Sequence, residues 1–198
     1  NIDLVKKKTL GRNVIGVLFS ELPGKEPPLI IGGHVDHLGV GGDPSSLANE
    51  SEKQKIHFGA DDNASGIASI IEMAEWFAHE KALKKLTMKR DIVFAAWSGE
   101  EQGLLGSTYF VNNLAKINNT NDLSNIVAAY LNLDMVGRYR ESLVVNGVGS
   151  SLIWKREIER RNAPIGLNIE LKEDSYVPTD ATSFFLKKIP ILSLFTGS

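Results

Sequence analysis

Two short, almost unbroken apolar runs, Asp91–Trp97 (DIVFAAW) and Ile126–Leu133 (IVAAYLNL), constrain the fold of this chain most. A strand with one face in water alternates apolar and polar residues. These two leave no polar stripe, as expected of parallel strands covered on both faces. Parallel neighbours need a crossover, and Gly103–Lys116 between the two runs can form the connecting helix. Helical period also marks 63–82, where Ile67, Ile70, Ile71, Met73, Ala74, Trp76 and Phe77 recur at spacings of three and four.

The rest of the chain continues the alternation. Asn13–Ser20 and Leu29–Gly33 read as strands parted by Pro27-Pro28. Residues 142–148 read as a strand, Ser150–Asn162 as a helix, 168–174 as a weaker strand, Asp180–Lys188 as a helix and Ile189–Thr196 as a last strand. Segment 38–58 has no sustained period and is expected to be a long surface loop beside the site. The pattern predicts an α/β fold, a mostly parallel twisted sheet flanked by helices on both faces, as a single domain over 1–198.

Composition narrows the function. With 198 residues, 42% of them hydrophobic, the chain can build one sizeable core. Its net charge of -2 and its scattered 22 basic residues, densest at Lys6-Lys7-Lys8 and Lys84-Lys85, predict no nucleic-acid or anionic-membrane surface. No apolar run approaches the ~20 residues needed to cross a bilayer. There is no cysteine, so any metal must be held by imidazole and carboxylate. The first residue is Asn1, not Met, which reads as a processed or excised product.

Candidate chemistry sits where apolar segments begin or end: His34 after LIIGG, Glu100 and Glu101 after DIVFAAWSG, Asp134 after IVAAYLNL, and Asp62 at or near a helix start. The ends of neighbouring parallel strands converge, so these groups can meet. Histidine with several carboxylates suits zinc and similar ions, and a bridging carboxylate lets two ions share a site. One of the paired glutamates can ligate while the other serves as a general base. Asp36, two residues after His34, can accept the proton of the second imidazole nitrogen. Gly32-Gly33 and Gly99 allow close backbone approach.

Taken singly, each has a plainer reading: Asp62 as an N-cap, Asp134 as a turn opener, Glu100-Glu101 as an exposed turn. The joint pattern favours a metal-dependent hydrolase. His37 is expected behind the ligands or exposed, His57 and His79 outside the site, and Asp180 at a helix N-cap. The three tryptophans, Trp76, Trp97 and Trp154, are expected in core or interface packing.

The series GGHVDHLG, GADDNASG, SGEEQGLLGS and LNLDMVG resembles metallopeptidase family 28, the di-zinc aminopeptidases and their relatives, from about Asn13 to the end. The resemblance implies that His34 and Asp134 bind one zinc, that Asp62 bridges both, and that Glu101 binds the other. Glu100 is then the general base and Asp36 the partner of His34. The implied reaction is hydrolysis of an N-terminal peptide bond by water activated at the metals, on peptides with a free N-terminus. In the family a sequence like FTG is followed by a Tyr-His pair whose histidine completes the second site; here FTGS ends at Ser198. The expectation is a chain incomplete at its C-terminus, and at its N-terminus if IDLVKKKTLGRNVIGVL is a re-entry segment. Such a chain would bind a second metal weakly and turn over little. Resemblance and the non-Met start suggest an extracytoplasmic location. Alternatives are a carboxypeptidase or glutaminyl-cyclase-like relative, or a non-catalytic binding domain of the same fold.

Overall fold

A computed structural model describes residues 10–41, 49–52 and 54–197. Its strands are β1 (Val14–Leu18), β2 (Leu29–His34), β3 (Ile92–Trp97), β4 (Ala129–Leu133), β5 (Leu143–Asn146), β6 (Ile169–Leu171) and β7 (Ile191–Phe195). The helices are α1 (Gly66–Ala82), α2 (Leu105–Ile117), α3 (Trp154–Asn162) and α4 (Ala181–Phe185). Every strand and helix expected from the sequence is present, most of them trimmed at their ends, while β2 and α2 each run one residue further.

The strands form one sheet in the order β1-β3-β2-β4-β7-β5-β6. β3, β2, β4 and β7 are mutually parallel, while β1 and the parallel pair β5–β6 join antiparallel at the two sides. The chain leaves β2 through α1 to β3 on one side, then returns through α2 to β4 on the other. Such a reversal opens a crevice at the carboxyl end of β2, where α/β sheets carry their sites.

Alternating residues of the central strands feed opposite faces, as the period of two requires. One face packs Ile31, Phe94 and Leu133 against Ile70 of α1. On the other, Ile30, Tyr130, Ile191 and Trp97 meet Val111 of α2 and Phe184 of α4. α3 covers Val145 and Leu192 near the β5–β6 side. Phe184 is 0% exposed and stacks on Tyr130 at a centroid distance of 3.8 Å, with Trp97 at 5.7 Å. Truncating Phe184 to Ala is expected to cost about 3–5 kcal/mol, because the void lies between two layers that cannot both collapse into it. Denaturant unfolding measures this.

Several details depart from expectation. α1 begins at Gly66 rather than at residue 63. Trp97 is fully buried and Trp154 packs against the cluster of Val145, Val148 and Leu192, but Trp76 is 56% exposed, resting edge-on against Phe77. The apolar residues Val14, Ile15 and Val17 of β1 lie on the sheet's edge and stay exposed. Of the expected loop over 38–58, residues 42–48 and 53 lie outside the described residues, as does Lys6-Lys7-Lys8. Its ends pair back on each other, with Gly41 N donating to Lys55 O and His57 N to Gly39 O. No helix among the described residues is long and apolar enough to cross a membrane.

Candidate metal centre

Register places the site. His34, the last residue of β2, lies opposite Trp97, the last residue of β3, and the end of β4 delivers Asp134. His34 is 2% exposed, and two carboxylate oxygens converge on its Nε2: Asp62 Oδ1 at 3.1 Å and Asp134 Oδ1 at 3.3 Å. One imidazole N–H cannot serve both acceptors, whereas a cation among the three would satisfy all of them. Burial alone would lower the pKa of His34, but hydrogen bonds to Asp134 and Asp62 outweigh it and raise it to about 11. The pocket therefore calls for a positive charge, which a divalent ion supplies.

Asp62 reaches this point from an irregular turn. Ala60–Ser65 precede α1, with Asp62 and Asn63 in non-helical conformations and the peptide between them cis. The expected N-cap role falls to Asn63, whose Oδ1 accepts from Gly66 N at 3.0 Å while its Nδ2 donates to Leu133 O at 2.9 Å. Asp61 turns the other way: its Oδ1 accepts from Gly137 N at 2.8 Å and its Oδ2 pairs with Arg138 Nε at 3.3 Å. Asp61 and Asn63 thus pin the turn to the loop after β4 and leave Asp62 facing His34. The sequence reading gave Asn63 no role; its side chain as the helix cap was the available signal.

The second oxygen of Asp62 faces a different histidine. Asp62 Oδ2 is 3.8 Å from His37 Nδ1, which is 2.9 Å from Glu101 Oε1. Two ligand-like triads therefore exist among the described residues, His34/Asp62/Asp134 and His37/Asp62/Glu101, sharing one carboxylate. His37, expected behind the ligands or exposed, is carried by the loop leaving β2 to Glu101 and bonds to its carboxylate.

Asp36 differs from its expected role. His34 Nδ1 is 3.0 Å from the backbone carbonyl of Asp36, whereas the nearest oxygen of the Asp36 carboxylate is 4.0 Å away. That carboxylate instead accepts from the backbone amides of Gly99, Glu100 and Glu101 at 2.8, 3.1 and 3.3 Å. Three N–H groups in one turn form a better cradle for an anion than a single ring nitrogen already held by a carbonyl. Gly99, at φ 75, supplies the left-handed residue that this turn needs.

That turn presents Glu100 beside Glu101. Burial pushes Glu100 up to about 8, with Asp180, Asp134 and Glu101 adding to the rise and His34 opposing it. Asp180 sits at the expected N-cap of α4, yet its side chain makes no cap bond. It is 1% exposed, and burial raises it to about 7. His79 pairs with its neighbour Glu80 on α1, away from the site.

An α/β sheet whose switch point gathers histidines and carboxylates into linked triads defines a metallohydrolase-type site. The chain belongs to peptidase family M28, whose model matches residues 13–198. That is a metallopeptidase family with aminopeptidases among its members. The chain is 32% identical over 206 residues to an aminopeptidase of Pseudomonas aeruginosa, an alignment covering 100% of this chain and 33% of that one. It is also 32% identical over 173 residues to a probable leucine aminopeptidase 2 of Aspergillus fumigatus, covering 80% and 32%. The chain thus spans about a third of the length of these relatives. Among solved structures it is similar to the zinc aminopeptidase BSAP of Bacillus subtilis, at TM-score 0.66 and 26% identity over 93% of this chain and 40% of that one. The LapA aminopeptidase of Legionella pneumophila shares the fold at TM-score 0.68 and 24% identity, covering 94% and 44%.

Proposed function

We propose that this protein is a zinc-dependent aminopeptidase, removing residues from peptides with a free N-terminus. The observation that carries the reading is the division of the Asp62 carboxylate, one oxygen toward His34 and the other toward the His37–Glu101 pair. In this reading His34, Asp62 and Asp134 hold one zinc, and Asp62 and Glu101 hold a second. Bound zinc supplies Lewis-acid polarisation of the scissile carbonyl and lowers the pKa of a coordinated water.

The chain's own residues do the rest. Glu100 lies in neither triad, is half-buried beside them, and as a carboxylate takes the proton of the attacking water and returns it to the leaving amine. Asp36 fixes the position of Glu100 by holding its backbone N–H and those on either side. Removing that cradle would loosen the turn that carries both the base and Glu101.

The test is hydrolysis of aminoacyl anilides beside their N-acetylated counterparts. The free anilides are expected to be cleaved, the reaction to stop with chelator and return with zinc, and the acetylated ones to resist. Cleavage of N-blocked peptides from the carboxyl end would favour a carboxypeptidase instead. Zinc uptake without hydrolysis of any of them would favour a binding domain.

A further inference from the structure

We propose that Asp180 is a positioning residue for Glu100: a buried carboxylic acid at the start of α4 that donates a hydrogen bond to the base and sets where it points. The inference rests on the reading of Glu100 as the base, and it gives a task to a side chain that the sequence marks only as a helix cap.

The first argument is that Asp180 lacks the donors an ionised carboxylate needs. It is 1% exposed, makes no cap bond, and neither of its oxygens has a hydrogen-bond partner of good geometry among the described residues. The hydroxyls at the contact of α2 and α4 are engaged with one another: Ser183 Oγ lies 3.0 Å from Ser107 Oγ and 2.9 Å from Thr108 Oγ1. Tyr130 has no proton to spare either. Trp97 Nε1 can only donate, and does so to the Tyr130 hydroxyl at 2.9 Å, while the hydroxyl gives its own proton to Asn132 Oδ1 at 2.7 Å. Burial pushes Asp180 up against the pull of Ser107 and His34, and Asp134 and Asp36 add to the rise. A neutral acid in such a place needs only an acceptor for the proton it carries.

The second argument is which acceptor is at hand. Of the carboxylates that push Glu100 up, Asp180 acts most strongly, ahead of Asp134 and of Glu101, the next residue in the chain. Coulombic interaction falls with distance, so Asp180 is the carboxyl group set closest to the base. Two carboxyl groups so close do not readily both ionise, and one proton between them bonds each to the other. Glu100 lies beside the triads, where a divalent charge favours its ionised form, so the proton rests on Asp180.

The third argument is mechanical. Asp36 holds the backbone amide of Glu100, and the amides of Gly103 and Leu104 hold its carbonyl at 2.8 and 2.9 Å. Only the side chain is left to be oriented. The same turn runs directly into α2, whose Ser107 and Thr108 fasten it to Ser183 of α4. Asp180, three residues before Ser183, is thereby carried in fixed relation to the base.

Asp180→Asn and Asp180→Ala, each zinc-loaded and shown to be folded by far-ultraviolet circular dichroism, test the role. The Asn amide is neutral and keeps a donor, so turnover of a free aminoacyl anilide is expected to stay near that of the unsubstituted protein. In the Ala variant kcat is expected to fall by about 10²-fold, the cost of a small misplacement of a catalytic group, with KM and zinc uptake unchanged. Infrared difference spectra give a readout that does not depend on turnover. The carbonyl stretch of a protonated, buried carboxyl group is expected in the unsubstituted protein, absent from Asp180→Asn, and shifted in Glu100→Gln because its acceptor has changed. Equal loss of turnover in the Asn and Ala variants, full turnover in both, or a carbonyl band that is missing or unmoved by Glu100→Gln would overturn the role of Asp180. An unsubstituted protein that hydrolyses no anilide would overturn the aminopeptidase reading instead, and the infrared band would still decide whether Asp180 bonds to Glu100.

Discussion

Replacing Glu100 by Gln lowers turnover of a free aminoacyl anilide by roughly 10²–10⁴-fold, the usual worth of a positioned base, and leaves zinc uptake unchanged. The amide keeps the size and polarity of the carboxylate but cannot accept the proton of the attacking water. Zinc uptake is spared because Glu100 belongs to neither triad. The pH profile carries the sign. In the metal-free site Glu100 titrates at about 8 for reasons of burial and neighbouring carboxylates. Divalent cations beside it lower that value. The base acts ionised, so kcat/KM rises with pH through the pKa of Glu100, and this acid limb disappears from the residual activity of the Gln variant. Steady-state kinetics across pH, with metal analysis of the same samples, measures both. Unchanged turnover would remove Glu100 from the mechanism, and lost zinc would make it a ligand.

Asp62→Asn is the second large effect, and it acts on both metals at once. The amide retains one acceptor oxygen and loses the charge that one carboxylate spreads over two sites. Loss of an orienting residue around a metal costs 10–100-fold in affinity, which sets a floor for a direct ligand: each zinc is expected to weaken by on the order of 10²-fold or more. Asp134→Asn should weaken one zinc only, since Asp134 belongs to one triad. Comparing the two variants by calorimetry isolates the bridge. An Asp62 variant that loses one zinc and keeps the other at full strength would show that the carboxylate is not shared. The fold itself should persist, because the helix start beside Asp62 is capped by Asn63 and not by Asp62.

Much of the architecture was legible because the signals that set it are local. DIVFAAW and IVAAYLNL lack a polar stripe, and each became an inner strand of the sheet. The helical spacing from Ile67 to Phe77 became α1. Strand order was not legible, since nothing in the spacing of apolar residues states that β2 lies between β3 and β4. Of the site, His34, Asp62, the Glu100-Glu101 pair and Asp134 stood out by their position at element ends, the resemblance alone divided the pair into base and ligand, and the structure brings His34, Asp62, Asp134 and Glu101 near one another. Asp36 was found for a different reason than the one it serves. Its neighbour His34 suggested a side-chain bond, but the three amides that bind its carboxylate come from a turn more than 60 residues away.

By itself the sequence determined which segments are buried on both faces, that any metal must be held by imidazole and carboxylate, and which residues end the apolar runs. These follow from residue chemistry and periodicity, which act over a few positions. Only the tertiary structure decided how the groups divide: Asp62 between two histidines, Asp36 on the turn that carries Glu100, and His37 drawn from the loop after β2 to Glu101. A carboxylate has two oxygens and a histidine two nitrogens, and which one meets which partner depends on strand register and on the path of the loops between strand ends.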